Sequence, residues 1–318
     1  MTTPSTIGVA GLGLLGRGIA TCLLAHGCRV IACEPKPDAR DAAASHIRDA
    51  IEDLVSRGGF PPPLRETWRG RYVACEDVSA FAACEFVIES IVEDLPAKHA
   101  LFDRIEQVVG PTVPIASNTS ALPISSLQAA RRHPHRFIGA HWAEPCHLTR
   151  FLEVVRGEQT DNATVEATLA LGRRVGKDPT VVRKDVEGFI VNRLGYAMFR
   201  EAFWLLENGV ADVDTIDRAF RNALSVWANV AGPFRWMDLT GLPAYAAVME
   251  RLFPLLSASG QVPETMRRLV ESGAVGVANG RGFYDYTPEE ADRWQALLVE
   301  NVWRVRSIQA ELLPEGPQ

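Results

Sequence analysis

The chain has 318 residues, 47% of them hydrophobic and 23% charged, with a formal net charge of −6. That length suffices for two domains and a sizeable core, while the acidic balance and the absence of a dense Lys/Arg cluster argue against a nucleic-acid surface. No stretch reaches the roughly 18 apolar residues of a membrane span, and the six cysteines form no CxxC pair and no zinc-type spacing, so they read as reduced thiols of a cytoplasmic protein without a metal site.

The N-terminus is apolar but lacks a basic leader, and it reads as a strand and turn rather than a signal peptide. Residues 6–10 form the strand. Gly11-Leu12-Gly13-Leu14-Leu15-Gly16 follows, then a helical run that ends at His26-Gly27, then a second strand, 29–33, closed by Glu34. Each glycine has a mechanical reason. Gly11 permits the tight turn, Gly13 lets the backbone approach a pyrophosphate, and Gly16 lets the helix pack on the strand. The helix start, at Leu14 and Leu15, presents free N–H groups to phosphates. Glu34 is placed to accept hydrogen bonds from ribose hydroxyls and to repel a 2′-phosphate, which predicts NAD over NADP.

Residues 38–57 read as a helix, 58–63 as a break, and 64–75 as a short connecting segment. Strands are expected at 86–91, 114–120 and 136–142, with a helix over 96–109 between the first two. This alternation predicts a Rossmann-type, doubly wound parallel sheet, whose ligands sit at the C-terminal strand tips. Glu93, Asn118, Ser120 and His141 all fall at or just past such tips. The stretch 137–155 runs out and back around a loop, which brings Glu153 beside His141. A carboxylate there holds the imidazole's tautomer for general-base work; the plainer alternative is a core histidine and a solvated edge glutamate. Residues 185–188 read as a turn, and from Phe189 the pattern becomes helical. Asn208-Gly209 is a stop, Asp212 and Asp214 are cap candidates, Gly232-Pro233 is a break, and further helices are expected at 245–256, 264–272 and 289–312. The expected architecture is α/β: a cofactor-binding domain over 1–184 and an all-helical domain over 185–318, with a loose tail at 314–318.

GLGLLG at 11–16, ESIVEDLPAK at 89–98, SNTS at 117–120, His141 with Glu153, GFIVNR at 188–193 and GRGFYDY at 280–286 occur in this order along one chain. Together they resemble the 3-hydroxyacyl-CoA dehydrogenase family, including its gulonate dehydrogenase/λ-crystallin and carnitine dehydrogenase branches. The resemblance implies an NAD-dependent homodimeric oxidoreductase that interconverts a 3-hydroxyacyl group, as CoA thioester or free 3-hydroxy acid, and its 3-oxo form. It implies that His141 is the general base and that Glu153 orients it. It also implies that Ser120, and Asn192 from the second domain, hydrogen-bond the substrate oxygen. Glu93 and Lys98 match cofactor-contacting positions, and Asn118 beside Ser120 shapes the nicotinamide pocket. The chain departs from the family pattern at Glu144, in HWAEP, where the family often has asparagine, and its 34–89 connection is short and weakly basic. Both departures weaken CoA as the substrate handle. With Trp142 they leave open a ring-bearing or cationic alcohol, with Arg150 or Arg235 as a carboxylate anchor. A non-catalytic NAD-binding protein is the remaining alternative.

Overall fold

The computed structural model describes residues 5–313, so the tail expected at 314–318 lies outside the described residues. The chain falls into two compact units that divide between Asn192 and Arg193.

The first unit opens with β1 (Thr6–Ala10), α1 (Leu14–Ala25), β2 (Arg29–Cys33), α2 (Pro37–Arg57), the single turn α3 (Leu64–Thr67) and β3 (Tyr72–Cys75). It continues through β4 (Phe86–Glu89), α4 (Leu95–Val108), β5 (Ile115–Ser117), α5 (Ile124–Gln128), β6 (Phe137–His141), β7 (Phe151–Val155), α6 (Asn162–Arg174) and β8 (Asp178–Val182). The eight strands form one sheet in the order β3-β2-β1-β4-β5-β6-β7-β8. All neighbours are parallel except β6 and β7. Strands β1, β2, β4 and β5 are almost wholly buried, as continuous apolar strands in a sheet covered on both faces must be. Separate apolar clusters cover the two faces: Ile19, Leu23, Ile47 and Ile51 lie in one, and Phe81, Phe102, Ile105 and Ile124 in the other.

The segment 64–75, expected only as a connection, contains the edge strand β3. Its four residues are half-exposed and carry no alternating pattern, so periodicity does not reveal it. Segment 185–192 packs back onto the first unit. Phe189 joins its core, and the Ser125 N–H donates to Asp185 at 2.5 Å.

The second unit is helical, as expected. It comprises most of α7 (Val191–Glu207), then α8 (Val213–Ala219), α9 (Ser225–Ala228), α10 (Pro233–Thr240), α11 (Leu242–Leu252), α12 (Glu264–Glu271) and α13 (Pro288–Leu312). Asp212 caps α8 through the Thr215 N–H at 2.8 Å. Gly232-Pro233 starts a helix rather than breaking the chain, because proline at the first helical position gives up an N–H that has no intrahelical partner anyway. Among the described residues of this unit, Ala231 and Trp303 alone are buried.

Candidate active site

Two structural devices meet at the C-terminal ends of β1, β4, β5 and β6. The first is a cleft of about 780 Å³ at the switch point between β1 and β4, lined by Gly11, Gly13, Leu14, Leu15, Glu34 and Ser120 among others. Gly11 turns with φ +94°, and a Cβ there would stand 2.5 Å from the Ser90 carbonyl oxygen. A Cβ on Gly16 would stand 2.0 Å from the Gly11 carbonyl oxygen, whereas Gly13 faces open space. Helix α1 starts at Gly13 with no side-chain cap, while Asp94 and Asp161 cap α4 and α6. The free N–H groups at the start of α1 are therefore available to phosphate, with the positive end of the helix dipole behind them. Glu34 accepts one main-chain hydrogen bond on each oxygen, from Leu12 at 3.3 Å and Lys36 at 3.1 Å. This fixes its carboxylate at the cleft rim with lone pairs left for vicinal hydroxyls. Arg40 is engaged with the Glu34 carbonyl and with Glu76. These features fit a dinucleotide with an unphosphorylated ribose.

The second device is the imidazole–carboxylate pair. His141 and Glu153 are register partners across the antiparallel β6–β7 ladder. His141 Nδ1 lies 2.8 Å from Glu153 Oε2, and both residues are buried. Glu153 Oε1 accepts the main-chain N–H groups of Ile190 and Val191 at 3.0 Å each. The carboxylate orders the Nδ1 proton and leaves Nε2 as the acceptor. Phe151 and Phe189 flank the imidazole, with ring centroids 5.4 and 5.8 Å away. Phe189 has φ +49°, a sparsely populated conformation for a bulky residue. Neither phenylalanine is readable as a site residue from the sequence, because each sits in an apolar stretch that looks like core.

A buried charge network supports the loop between the two devices. Lys98 Nζ lies 2.6 Å from Glu89 and 3.3 Å from Glu93. Glu89, fully buried, also accepts the Ser117 hydroxyl at 2.5 Å and the Ile91 N–H at 2.7 Å. Glu93 Oε1 accepts the Thr119 hydroxyl at 2.5 Å and the N–H groups of Ser120 and Ala121 at 2.9 and 3.2 Å. Burial opposes ionisation of Glu93, but the Thr119 hydrogen bond, the Lys98 charge and the two N–H donors outweigh it and hold its carboxyl below the ordinary range. Asn192 Nδ2 donates to the Ser120 carbonyl at 2.7 Å. The Ser120 main chain is thus held from both sides. Its hydroxyl has no partner among the described residues, and the residue lines the cleft. Asn118 also lines the cleft; it donates to Ser90 at 3.1 Å and accepts the Trp142 N–H at 2.8 Å.

The sequence-predicted residues therefore separate. Gly11, Gly13, Leu14, Leu15, Glu34, Glu93, Asn118 and Ser120 line one cleft, Gly16 packs against the Gly11 carbonyl beneath it, and His141 pairs with Glu153. Lys98 is buried beneath the cleft instead of on its wall, and Asn192 by its contacts belongs with the first unit. Glu89, on which the network centres, opens the ESIVEDLPAK stretch at 89–98, but the resemblance assigns it no role; its own signal is an acid inside an apolar strand. The residues behind the ring-substrate alternative lie elsewhere. Trp142 is buried in the core with Lys177 5.0 Å over its ring. Burial raises the Glu144 pKa against the opposing charges of Arg17 and Lys177. Arg150 pairs with Asp178 at 3.6 Å.

A dinucleotide cleft beside a buried imidazole–carboxylate pair defines an NAD-dependent dehydrogenase acting on a CH–OH group. The family model for the NAD-binding domain of 3-hydroxyacyl-CoA dehydrogenase matches residues 6–186, and that for its C-terminal domain matches residues 188–286. The chain belongs to the 3-hydroxyacyl-CoA dehydrogenase family. It is 33% identical to a 3-hydroxybutyryl-CoA dehydrogenase of Bradyrhizobium diazoefficiens over 88% of this chain and 94% of that one. It is also 33% identical to 5-formyl-3-hydroxy-2-methylpyridine 4-carboxylate 5-dehydrogenase of Mesorhizobium japonicum, over 95% and 97% of the respective chains. The crystal structure of an enzyme of the latter name, described as an NAD+-dependent dismutase, superposes with a TM-score of 0.89 over 99% of both chains at 32% identity. The (S)-3-hydroxybutyryl-CoA dehydrogenase of Ralstonia eutropha superposes with a TM-score of 0.74 at 30% identity, over 90% of this chain and all of that one.

Proposed function

We propose that the protein interconverts a 3-hydroxyacyl group, as CoA thioester or free 3-hydroxy acid, and its 3-oxo form, with His141 as the general base. The observation that carries this reading is the 2.8 Å His141–Glu153 pair next to the cleft. NAD, when bound along Gly11–Gly16 and Glu34, supplies the hydride acceptor. Glu153 holds the Nδ1 proton, so Nε2 takes the proton of the substrate hydroxyl in oxidation and returns it in reduction; such help is worth about 10²–10⁴ in rate. The Ser120 hydroxyl donates to the substrate oxygen as it gains carbonyl character. Asn192 and Glu93 act by holding the Ser120 backbone, and Lys98 acts through Glu93.

A second reading, a ring-bearing alcohol without CoA, is favoured by one observation. Likeness to the pyridine carboxylate dehydrogenase extends over 99% of the chain, against 90% for the hydroxybutyryl-CoA enzyme, and α13 lies wholly past the family model, which ends at residue 286. NADH formation measured side by side with 3-hydroxybutyryl-CoA, free 3-hydroxybutyrate and a hydroxymethyl-pyridine carboxylate separates the two. Turnover of the first or second supports the main reading; turnover of the third alone moves the protein to the second; turnover of none counts against both.

The domain assignment of 1–184 and 185–318 is supported by the nearby junction of the two family models, between residues 186 and 188. A homodimer is supported by the second unit's lack of a core of its own. Its apolar surface includes Phe234 at 78% and Leu239 at 71% exposure, and a second copy of the same helices is the occupant we assign. A cytoplasmic location is supported by the six free cysteines. Among the described residues, no helix is long and apolar enough to cross a membrane.

A further inference from the structure

Cys33 ends β2 and Cys75 ends β3, and the two are direct register partners on parallel neighbouring strands. Register partners project from the same face, and adjacent strands lie about 4.8 Å apart, within the roughly 4.4–6.8 Å Cα separation that a disulfide spans. Cys75 reaches the Ala32 carbonyl at 3.4 Å. Cys75 is the one cysteine of the six that is not buried. Interaction with the neighbouring Cys33 lowers the Cys75 pKa, whereas burial raises those of Cys28, Cys84 and Cys146. Cys75 therefore has the thiolate character and the access that a reactive thiol needs, with a resolving thiol beside it.

The pair is wired into the cofactor cradle. The Gly11 N–H donates to the Cys33 carbonyl at 2.8 Å, and the Glu34 N–H donates to the Cys75 carbonyl at 2.9 Å. Cys33 itself lines the cleft, between the first glycine of the turn and the ribose-facing acid. Closing a disulfide reorients the Cys33 side chain, which lines the cleft beside both of these main-chain contacts.

We propose that Cys33 and Cys75 are a hydroperoxide-sensitive dithiol site whose oxidation to a disulfide weakens dinucleotide binding. The Cys75 thiolate attacks one peroxide oxygen, the O–O bond breaks, and hydroxide leaves to become water on taking a proton, which gives a sulfenic acid. The Cys33 sulfur then attacks the Cys75 sulfur, the S–O bond breaks, and a second water leaves with the Cys33 proton. Two thiols lose two electrons and two protons, and one hydrogen peroxide becomes two waters. Because the coupling is reciprocal, bound dinucleotide makes the disulfide less favourable at equilibrium.

The test treats the full-length reduced protein with hydrogen peroxide, alkylates the remaining thiols, and maps disulfide-linked peptides by mass spectrometry. The NAD dissociation constant is measured in parallel. The expected result is a Cys33–Cys75 linked peptide, a rise in the dissociation constant of about tenfold, in the range of ordinary coupling energies, recovery with dithiothreitol, and a smaller disulfide fraction at a fixed dithiothreitol redox ratio when NAD is present. Cys75→Ser keeps NAD affinity and loses the peroxide response; Cys75→Ala, with a side chain that cannot hydrogen-bond, repeats the comparison should the serine variant fold poorly. No linked peptide, a linked peptide with unchanged NAD affinity, or an undiminished response in both Cys75 variants overturns the proposal.

Discussion

Glu153 receives three donors: the His141 ring N–H on one oxygen and the Ile190 and Val191 N–H groups on the other. A carboxylate satisfies all three, whereas an amide has one acceptor oxygen and one NH2 group, so Glu153→Gln either sets a donor against a donor or turns the imidazole to the tautomer protonated on Nε2, which removes the base. The expected outcome in steady-state kinetics is a fall in kcat of about 10²-fold with the KM for NAD unchanged. The unmet contact costs about 1–3 kcal/mol, which lowers the thermal midpoint. A kcat within twofold of wild type would show that the charge is not needed. Lys98 sits between two acids and is 1% exposed, with Glu89 at 0%. Lys98→Met leaves the Glu89 charge buried and uncompensated, at a cost of about 3–5 kcal/mol. Denaturant unfolding is expected to show that loss, with partial recovery in Glu89→Gln/Lys98→Met. Of these residues, Glu153 was legible in the sequence because a lone acid in an apolar strand requires a partner. Lys98 enters only through the resemblance, as a cofactor contact; its burial between two acids was not legible, because its spacing on α4 is the same as that of a solvated lysine.

At the scale of elements, α1 and its glycine turn separate folding from binding. Gly16 has a backbone oxygen 2.0 Å from where a Cβ would stand, and Gly13 has nothing within 4 Å. Gly16→Ala is expected to lower stability and NAD affinity together, because α1 must move off the turn. Gly13→Ala is expected to keep the thermal midpoint and weaken NAD by about tenfold or more, since its methyl takes the space of the closest phosphate approach. Melting curves and dinucleotide titrations of the pair check this; equal destabilisation in both would refute the division. The turn was legible because strand, glycines, helix and acid follow one another locally. Strand β3 was not, and neither was the use of Pro233 as a helix start, because a short edge strand and a Gly-Pro pair have no periodicity of their own.

For the whole molecule, the second unit poses the largest energetic question. A unit whose described residues bury only Ala231 and Trp303 has little core to offset chain entropy. Light scattering at micromolar concentration is expected to give the mass of a dimer, and Phe234→Glu/Leu239→Glu to give a less stable, smaller species; a wild-type monomer with the same thermal midpoint at all concentrations would count against it. The sequence by itself determined the cradle, the strand–helix alternation, the helical second half, and the out-and-back run that pairs His141 with Glu153. These follow from local sterics, periodicity and short-range return of the chain. Only the tertiary structure decided that Lys98 lies under the cleft, that Asn192 grips the Ser120 backbone, that Trp142 is core, and that Cys33 and Cys75 are neighbours. The Asn192–Ser120 and Cys33–Cys75 neighbours are far apart in the chain and meet only when the sheet is assembled, while the burial of Lys98 and Trp142 depends on the layers packed over them.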